Sequence, residues 1–446
     1  MSIDRESCIR HLQGMVQFPT VSNPDPDSMN FEPFHALHQY LEQSYPLVHK
    51  TMTREIIGYA GLLYHWKGTG HSKQLPLLLM AHQDVVPEGD HTLWKYPPFS
   101  GEVAEGKLWG RGTTDSKNNI MAHMEALEDL IASGFCPDYD LYLAYGYNEE
   151  IMGGKGPAAK LIADTLQQRG VRLGCVIDEC GGCGSGASQK IDGDICEIIV
   201  AEKGYADYLL SYTHKGGHSS VPPKEGAFYQ MAKAITAIEE HQMPYRITDA
   251  VKAKLETLAP HRKDALGKLL CDVSGNWPQL LEEFENNPAL AAMFHTTTAI
   301  TMAQGSAQAN ILPEKVTVTI NTRPLEGDSL EDIRQHFLSL VPEGVEVTLV
   351  KGNEATPVSP TDSWGYRLLQ SISEEMYPGI IATPGYLLGG TDSRYYCNIC
   401  ENIYRFGSFY HNSDYGPAHS ANECMPVDQI TSGPLFFQKF LTCYGG

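Results

Sequence analysis

Basic charge is what this sequence has least of. Lys and Arg number 33 against 54 Asp and Glu over 446 residues, a formal net charge of −21. Nucleic-acid binding rests on cations that neutralise phosphates, and anionic membranes attract the same cations, so this balance argues against both partners. No apolar run approaches the ~20 residues that cross a bilayer. The opening stretch MSIDRESCIRHLQGMVQFPT mixes charges without the apolar core of a secretory signal. A disulfide framework is missing as well: the cysteines are an odd set of 11, scattered from Cys8 to Cys443, which suits reduced thiols and a cytoplasmic location. Two CxxC pairs, Cys180/Cys183 and Cys397/Cys400, stand far outside the ~15–20-residue spacing of a zinc ribbon and read as buried thiols. Internal repeats, low-complexity tracts and heptads are absent, as is the G-x-S-x-G elbow of a serine hydrolase.

What is present is a globular composition, 42% hydrophobic and 20% charged, able to bury a sizeable core. The N-terminal half alternates strand-like and helix-like segments, as βαβ units do. LPLLLMAH (75–82) is a continuous apolar run, the mark of a strand covered on both faces. KNNIMAHMEALEDLIASG (117–134) has helical spacing with a glycine stop, and DLYLAYGYNEE (140–150) is strand-like again. GGKGPAAKLIADTLQQRG reads as a Gly-opened helix, and GCVIDE (174–179) as a further strand. Near residue 200 the texture changes to alternating strands, KGYADYLLSYTHKGGHSS (203–220) and KVTVTINTRP (315–324), which suit an antiparallel sheet with one solvated face. A charged helical insertion fills 245–297, and βα texture returns after KGNEATPVSP. The pattern predicts an α/β protein with a discontinuous catalytic domain, 1–200 plus 355–446, and an inserted α+β domain over 201–354.

Polar residues break the apolar strands at their ends. His82 and Asp84 stand two apart and share one side of an extended chain, at the rim where open α/β sheets bind ligands. The carboxylate can fix the ring tautomer for a metal, or the two can simply satisfy each other. Asp115, in GRGTTDSKNN, sits at a strand-to-helix junction, where an N-cap aspartate is an equally ordinary use. Glu149 and Glu150 in YNEE point opposite ways on a strand and so can serve different partners, or else are solvated. DEC (178–180) repeats the theme, and GPAHSANE places His419 in a loop. Taken together, His82, Asp115, Glu150, Glu179 and His419 are nitrogen and oxygen ligands without a thiolate. Such a set suits two zinc-like ions ~3.5–4 Å apart that share a bridging carboxylate, with Glu149 left free as a base.

The segments AHQDVVP, GKLWGRGTTDSKN, YNEE, IDE, GGHSS, NTRPLEGDS, GGTDSR and AHSANE, in this order, resemble the M20 family of metallopeptidases along nearly the whole chain. That family includes aminoacylases, carboxypeptidases and dipeptidases. The long insertion and GGTDSR are most similar to its carboxypeptidase-S-like and N-acyl-amino-acid hydrolase branch. The resemblance implies a zinc-exopeptidase-like α/β/α catalytic domain with an inserted lid that commonly dimerises. It implies two divalent ions, zinc with manganese or cobalt as alternatives: His82 and Glu179 on one, Glu150 and His419 on the other, Asp115 bridging. Asp84 orients His82, Glu149 is the general base, and Asp178 is a rival to Glu179. His218, Asn310 and Arg323 match substrate-binding positions of the lid, with His218 often acting on the partner subunit's site. From the residues alone, His218 is a loop histidine and Arg323 a solvated edge charge. Ser116 departs from the bulkier apolar residue of many relatives. The expected reaction is hydrolysis of an amide bond beside a free carboxylate in a dipeptide, a peptide C-terminus or an N-acyl amino acid. A metal-dependent binding protein on the same scaffold is the alternative.

Overall fold

The computed structural model describes residues 3–151 and 156–446. A nine-stranded mixed sheet carries the larger part of the chain. Its path runs Thr53–Ile57, Gly61–Trp66, Leu141–Gly146, Leu77–His82, Cys175–Asp178, Ile403–Arg405, Asp194–Glu202, Ile381–Leu387, and Gly182–Ser185 pairs with Asp194–Glu202 off that path. Leu77–His82 pairs in parallel with both of its neighbours, and Ile403–Arg405 runs parallel to Cys175–Asp178.

The apolar run at 77–81 is continuous because both faces of the sheet are covered. Leu77, Leu79 and Ala81 join the core formed with helices Arg5–Val16, Lys117–Ala132, Trp364–Met376 and Ser432–Tyr444. Leu78 and Met80 pack on the other face, with Ile162 and Leu166 of helix Ala158–Gln168. The result is a three-layer α/β/α sandwich, as the strand pattern predicts. Helix Lys117–Ala132 stops where expected, with Gly134 in the left-handed region at φ +84°. Residues 153–155 at the start of the next expected helix lie outside the described residues; the helix itself runs Ala158–Gln168.

A second sheet, Thr297–Gln304, Lys315–Arg323, Tyr205–Thr213, Val345–Asn353, is antiparallel throughout. Tyr208, Leu210, Val316, Val318 and Ile320 face helices Ala227–Glu240 and Leu330–Leu340, and the alternate residues face away. The helical segment at 245–297 sits on the first sheet rather than the second. Val251 and Leu255 of helix Asp249–Leu258, with Phe284 and Phe294, belong to the large core, and Lys254 pairs with Glu197 at 2.5 Å. Among the described residues no helix is long and apolar enough to cross a membrane.

Candidate metal centre

The parallel strands end together, and the polar residues gather at that edge. His82 closes its strand opposite Gly146, after which the chain turns through Tyr147 and Asn148 to Glu149 and Glu150. Glu179 follows the end of Cys175–Asp178. Asp115 and His419 arrive from loops, the latter with a left-handed backbone at φ +60°. The cap position of helix Lys117–Ala132 is Ser116, without a side-chain cap bond. Asp115 is therefore not spent on the helix, and its carboxylate is free for other partners.

Those partners are the two histidines. Asp115 Oδ1 lies 2.9 Å from His82 Nε2, and Oδ2 lies 3.0 Å from His419 Nε2. Each ring also meets a glutamate: His82 Nε2 is 3.3 Å from Glu179 Oε2, and His419 Nε2 is 3.0 Å from Glu150 Oε2. The groups His82–Asp115–Glu150 and His82–Glu149–Glu179 each offer three ligand atoms within 4.8 Å of one another. Neither group contains a thiol; Cys183 and Cys196 instead face each other on paired strands. Asp178 turns away and accepts the Ser393 backbone N–H at 2.9 Å, so it is Glu179 that faces His82.

Asp84 does more than orient an imidazole. The His82 Nδ1–H donates to the Asp84 backbone carbonyl at 2.9 Å, closer than the 3.4 Å to Asp84 Oδ1. A carbonyl only accepts, so Nδ1 carries the proton and Nε2 faces Asp115 and Glu179. The Asp84 carboxylate, fully buried, accepts the backbone N–H groups of Glu149 and Glu150, both at 3.1 Å.

The electrostatics are those of a site short of positive charge. Burial pushes Glu179 up to about 7, aided by Asp115, although His82 pulls against it. Burial likewise holds Glu149 well above the usual carboxylate range, with Glu179, Asp392 and Glu150 adding to the shift. Hydrogen bonds to Asp115 and then to Glu150 carry His419 up to about 10. Burial would lower His82, but Glu179, Asp115 and Asp84 raise it instead. Asp115 is lowered: its hydrogen bonds from His419 and His82 outweigh its burial. A cavity of about 620 Å³ opens on Asp115, Glu149, Glu150, Glu179 and His419, and among the described residues no Lys or Arg lines it. Clustered hard oxygen donors with two imidazoles and no other compensating cation fit divalent metal ions.

A second cavity of about 260 Å³ meets the first at Glu149 and Thr391, and Tyr205, Lys160, Lys351 and Arg394 line it. His218 and Asn310 sit side by side on an exposed ribbon, where Ser219 N–H donates to the Asn310 carbonyl at 3.1 Å. Neither residue lines the two cavities. Arg323 is half-buried, its guanidinium 4.9 Å from the Tyr205 ring centre.

Two carboxylates absent from the sequence reading organise the edge. Glu202, fully buried, accepts from Thr391 N–H (2.9 Å), Thr391 Oγ1 (3.0 Å) and Arg405 Nε (3.1 Å), and pairs with Arg394 at 2.5 Å. Glu423 holds the loop that precedes Asp115. Glu423 ends the segment AHSANE, while Glu202 lies in no such segment, and only burial distinguishes either from a surface glutamate.

Residues 78–442 match the model of peptidase family M20/M25/M40. The chain belongs to peptidase family M20. Among M20 relatives, mouse N-fatty-acyl-amino acid synthase/hydrolase PM20D1 is 32% identical over 438 residues, covering 96% of this chain and 86% of that protein. Carboxypeptidase S of Saccharomyces cerevisiae is 32% identical over 493 residues, covering 98% and 84%. The M20 metallo-carboxypeptidase Sso-CP2 of Sulfolobus solfataricus shares the fold, with a TM-score of 0.70 at 16% identity over 98% of this chain and 99% of that one. The chain is thus a hydrolase, and M20 membership implies that it uses divalent metal.

Proposed function

We propose that the chain is a dinuclear metallohydrolase that cleaves an amide or peptide bond next to a free carboxylate. The observation that carries this reading is the division of Asp115, one oxygen toward each histidine, with a separate glutamate completing each half. His82 and Glu179 would hold one ion, Glu150 and His419 the other, with Asp115 between them. Zinc fits this donor set best, and manganese or cobalt would also fit. Bound there, the ions would supply Lewis-acid polarisation of the scissile carbonyl and of the attacking water.

The chain's own residues do the rest. Asp84 fixes the turn that presents Glu149 and Glu150, so their carboxylates diverge to different tasks. Glu149, on the boundary of the two cavities, takes the proton from the attacking water and delivers it to the leaving nitrogen. Burial raises its pKa above the ordinary carboxylate value, which strengthens it as a base.

The second cavity, where Lys160, Lys351 and Arg394 stand beside Asp392, supports a substrate carboxylate next to Glu149. Dipeptides, peptide C-termini and N-acyl amino acids all carry such a group, and the names of the relatives, carboxypeptidase S and N-fatty-acyl-amino acid synthase/hydrolase, fall in the same range. Residues 1–200 and 355–446 would form the catalytic domain and 201–354 the lid, except that the helical segment 245–297 packs on the catalytic sheet. His218, Asn310 and Arg323 would reach substrate when the lid of this chain, or of a second copy in a homodimer, closes over the cavity. The test is a hydrolysis screen of dipeptides and N-acyl amino acids on chelator-stripped protein with zinc, manganese or cobalt restored. Metal-dependent turnover supports the reading, whereas metal binding without turnover of any of them would leave a binding protein.

A further inference from the structure

The two halves of the centre are built differently. His82 ends a central strand and Glu179 directly follows another, so the sheet itself fixes that half. The other half draws His419 from a loop, with its side chain 57% exposed, and Asp115 from a second loop. Something has to hold those loops in register, and one side chain just beyond His419 bonds to the segment that leads into Asp115.

Glu423 lies four residues beyond His419 and is 1% exposed. Its Oε1 accepts Gly112 N–H at 3.0 Å, Thr114 N–H at 2.9 Å and Thr114 Oγ1 at 3.0 Å. Its Oε2 accepts from Arg111 Nη1 at 2.7 Å, and its backbone carbonyl accepts Gly110 N–H at 3.0 Å. The guanidinium of Arg111 is itself set, 5.2 Å from the Trp94 ring centre. Each donor comes from 110–114, the residues that run directly into Asp115. The next residue, Cys424, pairs with Trp109, which locks the register of the two segments. Glu423 is not among the residues lining the cavity, so it acts through its neighbours rather than on substrate.

We propose that Glu423 is a positioning residue that ties the His419 loop to the Asp115 loop and thereby sets the affinity of the Asp115–Glu150–His419 half of the centre. This rests on the dinuclear reading given above. Groups that orient metal ligands in this way typically change metal affinity by about 10–100-fold when altered. Removing the Glu423 charge therefore weakens the ion held by Glu150 and His419 more than the other, which shares Asp115 but takes His82 and Glu179 from the strand ends.

The experiment titrates zinc alone into chelator-stripped full-length protein by calorimetry, with bound metal counted after dialysis. Wild type, Glu423→Gln and Thr114→Val are compared, each with a thermal melt. Thr114→Val removes a single hydroxyl bond and keeps the Arg111–Glu423 pair, so it reports even where Glu423→Gln fails to fold. Expected are two ions in wild type, with one site in Glu423→Gln weakened about 10–100-fold and the other by clearly less. Thr114→Val shifts the same site in the same direction by less. Equal weakening of both sites, or unchanged affinity in the variants, overturns the inference while the dinuclear reading stands. A wild type that holds only one ion overturns the dinuclear reading and this inference with it.

Discussion

The carboxylate of Asp84 accepts the backbone N–H of Glu149 across the sheet at 3.1 Å, joining the end of one strand to the turn after the next. Because its other oxygen accepts Glu150 N–H, one buried side chain sets the direction of both glutamates. Asp84→Asn leaves one of these N–H groups facing an amide nitrogen. The expected result is a fall in kcat of about 10–100-fold with KM little changed. Steady-state kinetics on the best substrate from the hydrolysis screen checks it, and a kcat equal to wild type contradicts the assignment.

Glu149→Gln keeps the shape of the site and removes the proposed base. Metal content should stay at the wild-type value while kcat drops about 10²–10⁴-fold, the scale of lost general acid–base catalysis. Metal analysis and turnover measured on one preparation separate this from loss of a ligand, which would lower both.

His419 supplies the pH dependence. Its pKa is carried up to about 10 by Asp115 and Glu150. A raised folded value means these contacts stabilise the metal-free chain fully below the unfolded value of about 6.5. That contribution is lost as pH rises through about 10. A metal needs the neutral ring, so binding at pH 7–9 should release a proton, and affinity should climb with pH over that range. Proton release in weakly buffered calorimetry checks this; affinity flat with pH would refute it.

Phe294 tests where the helical insertion belongs. It is fully buried, stacked on Phe284 at 4.9 Å and part of the large core. Phe294→Ala should cost about 3–5 kcal/mol in urea unfolding. A cost near zero would mean that the segment hangs from the sheet rather than completing it.

Much of the α/β class was legible because burial on two faces writes itself as uninterrupted apolar runs. The acidic edge was legible for a related reason: His82 and Glu179 interrupt such runs, and a strand end is where an interruption is tolerated. Periodicity showed that 245–297 is helical but not which sheet Val251 and Phe294 cover, since an apolar stripe has no address. Asp115 could not be told from an N-cap by position; only its bonds to His82 and His419 and the cap at Ser116 separate the two. Glu423 and Glu202 were illegible because their partners are backbone N–H groups far along the chain, and a backbone donor leaves no mark in the sequence. Sequence position marks Asp84 as a partner of His82, and its hold on the 149–150 turn is invisible there for that same reason.

The strand Ile403–Arg405 fills the slot between Cys175–Asp178 and Asp194–Glu202. During synthesis, the middle of the large sheet is therefore supplied some two hundred residues after both its neighbours. At about 5–20 residues per second, the nascent chain carries two unpaired central edges for roughly 10–40 s. Such edges recruit other strands, so this interval is when the chain depends most on chaperones and on a low concentration of its own copies. His419 and Glu423 emerge later still. The proposed ligand set is therefore complete only after the last central strand has been made.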